Sequence, residues 1–138
     1  MTPTELVKLA KQAMTKAYAP YSGFKVGAAL LTKAGKVYLG CNIENAAFGP
    51  TNCAERTAFF KAVSEGEREF AAIAVVGGRD GVPDGIFPPC GVCRQVMQEF
   101  CGPDFLIHMG RGDDSYETVR LDALLPYGFS AGEYMTGK

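Results

Sequence analysis

The sequence has little of what marks a nucleic-acid-binding or membrane protein. Lys and Arg together number 14 and Asp and Glu number 15, so the formal net charge is −1. A balanced charge without a basic stripe attracts a polyanion weakly, which argues against DNA or RNA as a partner. No apolar run approaches the roughly 20 residues of a membrane-spanning helix. We therefore expect a small, nearly neutral substrate and no membrane partner.

The chain also has a single histidine and no recognisable export signal. His108 lies in an apolar stretch, where a structural histidine is more frequent than a metal ligand. Residues 1–5 lack the basic and then apolar layout of a secretion signal, so we expect a cytoplasmic location. Five cysteines are an odd number for a disulfide framework. Reduced thiols and a metal site fit this pattern better.

Length and composition are those of an ordinary globular domain. The 138 residues are 47% hydrophobic and 21% charged, which suits one domain with one hydrophobic core. The chain shows no internal repeat, low-complexity tract or linker. We expect a single domain over residues 1–138.

Hydrophobic periodicity and turn residues predict alternating helices and strands. A threonine cap at Thr2, a proline after it and Glu5 predict the start of a first helix, which Pro20 ends. The further predicted elements are strands 26–32 and 37–40, helix 52–65, strand 71–76, loop 77–89, helix 91–101, strands 105–109 and 116–120, and a short helical turn 121–125. This alternation indicates an α/β fold with helices layered on a sheet.

The strongest chemical signal lies in two short segments, Cys53-Ala54-Glu55 and Pro89-Cys90-Gly91-Val92-Cys93. Each segment begins a predicted helix that follows a strand, which is where ligand crevices form in α/β sheets. Three thiolates suit a catalytic zinc, because three protein ligands leave the fourth position to water. A nearby carboxylate such as Glu55 can then move the proton of that water. The segments converge if Cys53 and Glu55 occupy the first helical turn, with Asn52 as the cap.

The charge of such a site needs compensation. Three thiolates around Zn²⁺ leave a net negative charge, which weakens the zinc as a Lewis acid. Both helix N-termini favour thiolate over thiol. Arg56 and Arg94 each follow a ligand segment directly, and we hypothesise that both hydrogen-bond to sulfur.

The cysteine spacing is also compatible with a redox pair or a structural metal site. A redox dithiol needs only Cys90 and Cys93 and leaves Cys53 without a role. A closed structural zinc site needs a fourth ligand. Cys101 would lie about 12 Å from Cys93 along the helix and is excluded. Cys41 is not excluded by spacing, although a small buried hydrophobic role is more common for such a residue.

The two segments match the signature of zinc-dependent nucleoside and nucleobase deaminases, whose first ligand is His or Cys. Four segments resemble the small homotetrameric cytidine deaminases: Ala19-Pro20-Tyr21-Ser22, Phe24-Lys25-Val26-Gly27-Ala28-Ala29-Leu30, Gly40-Cys41-Asn42-Ile43-Glu44-Asn45-Ala46 and Cys53-Ala54-Glu55-Arg56-Thr57-Ala58. The resemblance covers nearly the whole chain and weakens after about Leu125, so the tail from about residue 126 diverges. It implies a three-layer α/β/α cytidine-deaminase-like fold with a central five-stranded mixed sheet flanked by helices.

This resemblance implies a reaction. Cys53, Cys90 and Cys93 would hold one Zn²⁺ per subunit, and zinc-bound hydroxide would attack C4 of the base. Glu55 would take a proton from the zinc-bound water, protonate N3 of the base and shuttle a proton to the leaving ammonia. Cytidine and 2′-deoxycytidine would become uridine and 2′-deoxyuridine, a step of pyrimidine salvage.

The resemblance also implies the substrate contacts. The backbone N–H of Ala54 would bind the pyrimidine O2, and Phe24 would stack on the base. Asn42 and Glu44 would hydrogen-bond the ribose 3′-hydroxyl. A carboxylate such as Glu44 accepts from a hydroxyl but repels phosphate, which favours a free nucleoside over a nucleotide.

The family resemblance further implies a homotetramer with sites at the subunit interfaces. Phe48 occupies a position where related enzymes often have Tyr, and Phe129 is a candidate for the aromatic residue that a neighbour contributes. Three rival functions remain: a deaminase for another pyrimidine compound, a polynucleotide deaminase, and a non-catalytic zinc-binding interaction module. Asn42 and Glu44 argue for plain ribose, and the net charge argues against a polynucleotide.

Overall fold

The computed structural model describes residues 1–131, in which helices and strands alternate as the sequence predicts. A 3₁₀ turn, Met14–Lys16, follows the first helix. The elements in chain order are α1 (Pro3–Ala13), β1 (Phe24–Thr32), β2 (Val37–Cys41), α2 (Ala54–Ser64), β3 (Phe70–Arg79), α3 (Gly91–Phe100), β4 (Leu106–Gly110), β5 (Tyr116–Arg120) and α4 (Leu121–Leu124).

The five strands form one mixed sheet in the order β2-β1-β3-β4-β5. β1 is antiparallel to both β2 and β3, β3 is parallel to β4, and β4 is antiparallel to β5. Because β2 and β3 both run against β1, they point the same way. Their carboxyl ends, at Cys41 and Arg79, therefore lie at the same edge of the sheet, beside the start of β1.

Helices cover both faces of the sheet. Strand residues alternate between the faces, so Ala29, Ala74 and Val76 meet the buried residues Leu6, Val7 and Ala10 of α1 and Met14 of the 3₁₀ turn. On the other face, Leu30, Ile73, Val75 and Ile107 pack against Ala58, Phe59 and Met97 of α2 and α3. This arrangement confirms the predicted three-layer α/β/α fold. No helix among residues 1–131 is long and apolar enough to cross a membrane.

The first helix begins as predicted but ends earlier. Thr2 Oγ1 accepts from the backbone N–H of Glu5, and the Glu5 carboxylate accepts from the backbone N–H of Thr2, which completes a capping box. The sequence predicts that the helix continues to Pro20. Tyr18 instead forms a bridge with Ile43, and this pairing requires extended backbone, so helical structure ends at Lys16.

The third strand is longer than predicted. The glycines at 77 and 78 predict a loop, yet residues 77–79 pair with the first residues of β1, down to Phe24 with Arg79. Glycine is needed at position 78 because the loop after β3 passes directly over it. A Cβ there would overlap the carbonyl of Val82. Pairing with β1 therefore overrides the local glycine signal.

The predicted cap of the second helix is wrong. Cys53, and not Asn52, is the N-cap of α2, with extended dihedrals of φ −79° and ψ 156°. Asn52 is held one residue outside the helix because its backbone pairs with Ile43. Its side chain donates to Thr57 Oγ1 at 3.2 Å. Residues 54 and 55 still fall in the first turn of the helix.

We predict that Gly40→Ala destabilises the protein by about 1–3 kcal/mol or more, because overpacking against backbone cannot be relieved by a rotamer change. A Cβ at Gly40 would lie 2.6 Å from the backbone nitrogen of Ala58 and would push α2 off the sheet. Urea unfolding measures the effect. Gly49→Ala is the control, since a Cβ there meets nothing within 4 Å. Equal unfolding midpoints for the two variants would contradict close packing of α2 on β2.

Candidate metal centre and active-site cavity

Three cysteine sulfurs meet where α2 and α3 begin. Cys53 is the N-cap of α2, Cys90 is the N-cap of α3, and Cys93 lies in the first turn of α3. Cys53 Sγ is 3.6 Å from Cys90 Sγ, which is 3.5 Å from Cys93 Sγ. All three atoms lie within 4.8 Å of one another. The shared direction of β2 and β3 explains this meeting, because α2 and α3 follow their adjacent carboxyl ends.

The donor set fits a zinc ion with an open coordination position. Among residues 1–131, no fourth His, Cys, Asp or Glu joins the three thiols as a possible ligand. Cys41 lies half-buried at the end of β2 and outside the cluster. His108 is buried on β4, where its Nδ1 lies 2.8 Å from Thr118 Oγ1. Three thiolates without a fourth protein ligand are typical of a catalytic rather than a closed structural zinc site.

Charge and hydrogen bonding favour a thiolate at Cys53. The pKa of Cys53 is lowered to about 5, first by a hydrogen bond from the Cys93 thiol and then by one from Arg56, against the opposing effect of burial. Arg56 Nη2 donates to Cys53 Sγ at 3.2 Å. The bond between the two thiols raises the pKa of Cys93, which is its donor. Arg56 thus makes the sulfur contact that the sequence suggests.

Arg94 does not make the sulfur contact that its place in the sequence suggests. Its Nε donates to the carbonyl of Pro89 and its Nη1 to the carbonyl of Leu124, both at 2.7 Å. The hydrogen bond to the carbonyl of Leu124 directs the guanidinium towards α4. Arg94 therefore holds the backbone before Cys90 in place. Of the two arginines, Arg56 is the one that hydrogen-bonds to a cysteine sulfur and offsets its negative charge.

Glu55 is a buried carboxyl beside this cluster. Its side chain lies in the first turn of α2 and the residue is only 5% exposed. Burial raises its pKa from 4.5 to about 7, and the negative charge of Cys53 adds to the effect. A carboxyl with a pKa near neutrality can both accept and donate a proton at physiological pH.

A cavity of about 250 Å³ connects the cluster with the predicted substrate residues. Cys53, Glu55 and Cys90 line it, as do Asn42, Glu44 and Ala54 from the predicted contacts. The other lining residues are Val26, Thr51, Asn52, Val75, Phe87 and Pro88. The sequence does not single out Phe87. Its only signal is its position three residues before Cys90, inside a segment whose Gly and Pro content predicts a loop.

Asn42 and Glu44 are rigidly held at the rim of the cavity. Asn42 Oδ1 accepts from the backbone N–H of Val26, and its Nδ2 donates to the carbonyl of Phe24, both at 2.8 Å. The Glu44 carboxylate accepts from the backbone N–H groups of Tyr21 and Ser22 and from the Ser22 hydroxyl. The Ser22 hydroxyl is the main reason why the pKa of Glu44 is lowered. Glu44 is therefore ionised at neutral pH.

The three predicted aromatic residues lie further out. Phe24 is 36% exposed, with the Arg79 guanidinium 4.3 Å from its ring centroid. Phe48 is 86% exposed and lines a neighbouring cavity of about 320 Å³, which also contains Glu44. Phe129 is also exposed, and its carbonyl accepts from Gln95 Nε2 at 3.1 Å. None of the three lines the cavity that contains the cysteines.

Known proteins share this fold and these sequence features. Residues 2–109 match the family model described as the cytidine and deoxycytidylate deaminase zinc-binding region. The chain is 52% identical over 126 residues to a cytidine deaminase of Halalkalibacterium halodurans, covering 91% of this chain and 92% of that one. A cytidine deaminase of Sporosarcina psychrophila is 48% identical over 130 residues, with 94% and 93% covered. The crystal structure of cytidine deaminase from Burkholderia pseudomallei matches with a TM-score of 0.86 at 50% identity, covering 94% of this chain and 100% of that one.

The layered fold and the cluster of three thiols define a zinc-binding hydrolytic deaminase domain. The chain belongs to the cytidine and deoxycytidylate deaminase family. Membership confirms the expected fold, the expected zinc and the expected class of enzyme.

We predict that Arg56→Ala lowers zinc affinity by roughly 10- to 100-fold, the usual cost of losing a group that hydrogen-bonds to a metal ligand. The Cys53 sulfur would lose its charged donor. Competition with a chromogenic chelator measures the affinity. Cys41→Ser is the matched control and should bind zinc as the parent does. Loss of zinc from the Cys41→Ser protein would instead indicate a fourth thiol ligand.

We predict that Glu55→Gln stabilises the metal-free protein at high pH. The folded protein protonates Glu55 below about pH 7 and the unfolded chain only below 4.5. The stability contributed by this proton is therefore complete below pH 4.5 and is lost as the pH rises through 7. At about 1.36 kcal/mol per pH unit, the parent should be less stable than the variant by about 3 kcal/mol at pH 8 and by under about 1 kcal/mol at pH 5.

Urea unfolding of chelator-treated proteins at the two pH values measures this difference. Glu99→Gln is the control because this carboxyl is exposed on α3. Its stability should track that of the parent at both pH values. A stability difference between Glu55→Gln and the parent that does not change with pH would contradict a perturbed carboxyl.

Proposed function

We propose that this protein catalyses the hydrolytic deamination of cytidine and 2′-deoxycytidine to uridine and 2′-deoxyuridine, with release of ammonia. One observation carries the proposal: the buried carboxyl of Glu55 and two of the clustered thiols line the same small cavity as Asn42 and Glu44. A proton carrier, a metal cluster and hydrogen-bonding groups for a sugar thus surround one space. Relatives of about 50% identity are cytidine deaminases, which supports this substrate.

The three thiols and the carboxyl divide the chemistry between them. Cys53, Cys90 and Cys93 would hold Zn²⁺, which when bound supplies a Lewis acid that makes water nucleophilic near neutral pH. Glu55 takes a proton from the attacking water. It gives this proton to N3 of the base as the C4–O bond forms. It then takes the second proton from the new hydroxyl at C4 and passes it to the amine, so that the C4–N bond breaks, a carbonyl forms and ammonia leaves. The pKa of about 7 suits a group that must accept and donate in turn.

The substrate contacts are proposed from the cavity wall. Ala54 is the first residue of α2, where backbone N–H groups have no partner within the helix, and its N–H would bind O2 of the base. Phe24 would stack on the base. Asn42 and Glu44 would bind the 3′-hydroxyl, because each keeps hydrogen-bonding capacity beyond the backbone contacts that hold it.

A free nucleoside suits this cavity better than a nucleotide. The family description includes deoxycytidylate, whose phosphate carries negative charge. Glu44 is an ionised carboxylate at the rim, fixed by three hydrogen bonds. A phosphate near it would meet direct charge repulsion. We therefore assign the enzyme to nucleosides, in cytoplasmic pyrimidine salvage.

We also propose a homotetramer with active sites at the subunit interfaces. Phe48 is 86% exposed, and Tyr18 and Tyr21 are more than half exposed nearby. Large exposed aromatic surfaces are typical of contact sites between proteins. The cavity lined by Phe48 shares Glu44 and Thr51 with the cavity of the thiol cluster. A neighbouring subunit that covers Phe48 and contributes its own Phe129 would close the outer side of the active-site cavity.

The decisive test is incubation of the zinc-loaded protein with cytidine, followed by ultraviolet absorbance as uridine and ammonia form. Glu55→Gln should keep its zinc and lose at least about 10²–10⁴-fold in kcat/KM, because it can no longer carry protons. Glu99→Gln should retain activity. Cytidine 5′-monophosphate should be turned over far more slowly than cytidine.

The outcomes separate the rival functions. No turnover of cytidine by the zinc-loaded parent would overturn the proposal. Full activity of Glu55→Gln would overturn the assigned proton carrier. A protein that binds zinc but deaminates no nucleoside would support an interaction module instead.

A further inference from the structure

One aromatic side chain of the cavity wall has no assigned role. Phe87 lies in the segment between β3 and α3 and is half-buried, with its ring on the cavity that also contains Glu55 and Cys90. The other apolar members of the wall are Val26, Ala54, Val75 and Pro88. Phe87 is the only aromatic residue among the lining residues of this cavity, and Phe24 is not one of them.

The ring of Phe87 is fixed from two sides. Its centroid lies 5.9 Å from that of Phe24, with the planes inclined at 52°, a favourable geometry for an aromatic pair. On the other side it lies against Gly77 of β3, where an added Cβ would come within 2.9 Å of the Phe87 ring atoms Cγ and Cδ2. Phe87 therefore occupies a slot that exists only because residue 77 has no side chain.

Phe24 in turn is held by Arg79. The guanidinium lies 4.3 Å from the ring centroid of Phe24, which is a cation–π contact. Phe24 and Arg79 are paired residues of β1 and β3, so the contact is set by strand register. One part of the Phe24 ring is thus covered by Arg79 and another by Phe87.

We propose that Phe87 forms the aromatic wall against which the pyrimidine ring of the substrate packs, and that Gly77 and Phe24 hold this wall in position. The inference rests on the proposed deamination of cytidine and adds a base-binding residue to it. A pyrimidine is planar and weakly polar on its faces, and it packs well on an aromatic side chain. Phe24 would still contact the base, at the outer edge of the same aromatic corner, and the Arg79 guanidinium covers the remainder of its ring.

Removal of the wall should weaken binding without slowing chemistry. Phe87→Ala and Phe87→Leu should raise KM about tenfold, within the range that stacking of a base on an aromatic side chain provides. kcat should change less than about twofold, because the contact is the same in the ground state and the transition state. The rise should be equal for cytidine and 2′-deoxycytidine, since Phe87 would touch the base and not the sugar. Val82→Ala, at an exposed position of the same segment, should leave both constants unchanged.

The slot at Gly77 gives a second and more selective test. Gly77→Ala should raise KM in the parent because the new methyl group displaces the Phe87 ring. The same change should add much less in a Phe87→Ala background, where the ring is gone and the only close contact left among the three nearest is Val26 Cγ2 at 3.1 Å. Such coupling is measured by a double-mutant cycle. A Gly77→Ala effect of the same size in both backgrounds would mean that Gly77 acts on stability alone and would overturn its positioning role.

A fluorescence test does not depend on turnover. The sequence contains no tryptophan, so Phe87→Trp introduces a single one into the wall. Uridine, which has no amine to lose, should quench or shift its emission saturably. Val82→Trp is the control and should respond weakly or not at all.

The two proposals fail separately. An unchanged KM in Phe87→Ala and Phe87→Leu, in an enzyme that deaminates cytidine, would overturn the aromatic wall and leave the function intact. So would unchanged Phe87→Trp emission at saturating uridine in an active protein. A parent without cytidine turnover would overturn the proposed function, while a saturable Phe87→Trp response to uridine would still support a pyrimidine wall.

Discussion

The active-site arrangement depends on the direction of two strands. β2 and β3 flank β1, and both are antiparallel to it, so their carboxyl ends lie together at one edge of the sheet. α2 and α3 begin near this edge, and each begins with a cysteine at its N-cap. Sheet pairing thus brings together Cys53 and Cys90, which lie 37 positions apart in the sequence. The glycines at 27 and 40 complete the arrangement, because they let α1 and α2 approach opposite faces of the sheet.

The second constraint is electrostatic. A cluster of three thiols carries negative charge when ionised, and the buried carboxyl of Glu55 lies beside it. Two features reduce the cost of this concentration of acids. Arg56 donates directly to the Cys53 sulfur, and Glu55, whose pKa is about 7, remains partly protonated near neutral pH in the metal-free protein. A bound divalent cation would shift this equilibrium towards the carboxylate, which is the form that the proposed mechanism requires for accepting a proton from the attacking water.

Local pattern and motif spacing predict much of the fold and of the metal centre. Ligand count predicts the zinc site, capping residues predict where helices begin, and hydrophobic periodicity predicts the layered sheet. These short-range rules agree with one another. The structure differs from these predictions where contacts between segments that are distant in sequence determine the position of a residue. Asn52 looks like a cap, but its pairing with Ile43 holds it outside the helix. Arg94 follows a ligand directly, yet two carbonyls that no local pattern reveals receive its guanidinium. Phe87 lies in a loop whose path is set by Gly77 and β1, so only the folded chain places it in the cavity.

Chemistry and selectivity are consequently built on different parts of the molecule. The thiols and Glu55 lie at the N-caps and first turns of two helices, and the packing of these helices on the sheet resists small displacements. The groups that would recognise a nucleoside lie on the connecting segments: Glu44 after β2, and Phe87 after β3. Glu44 is held by the N–H groups of Tyr21 and Ser22 and by the Ser22 hydroxyl, and Phe87 is held between Gly77 and the ring of Phe24. A change of substrate in this fold can therefore arise from loop residues without disturbing the metal centre.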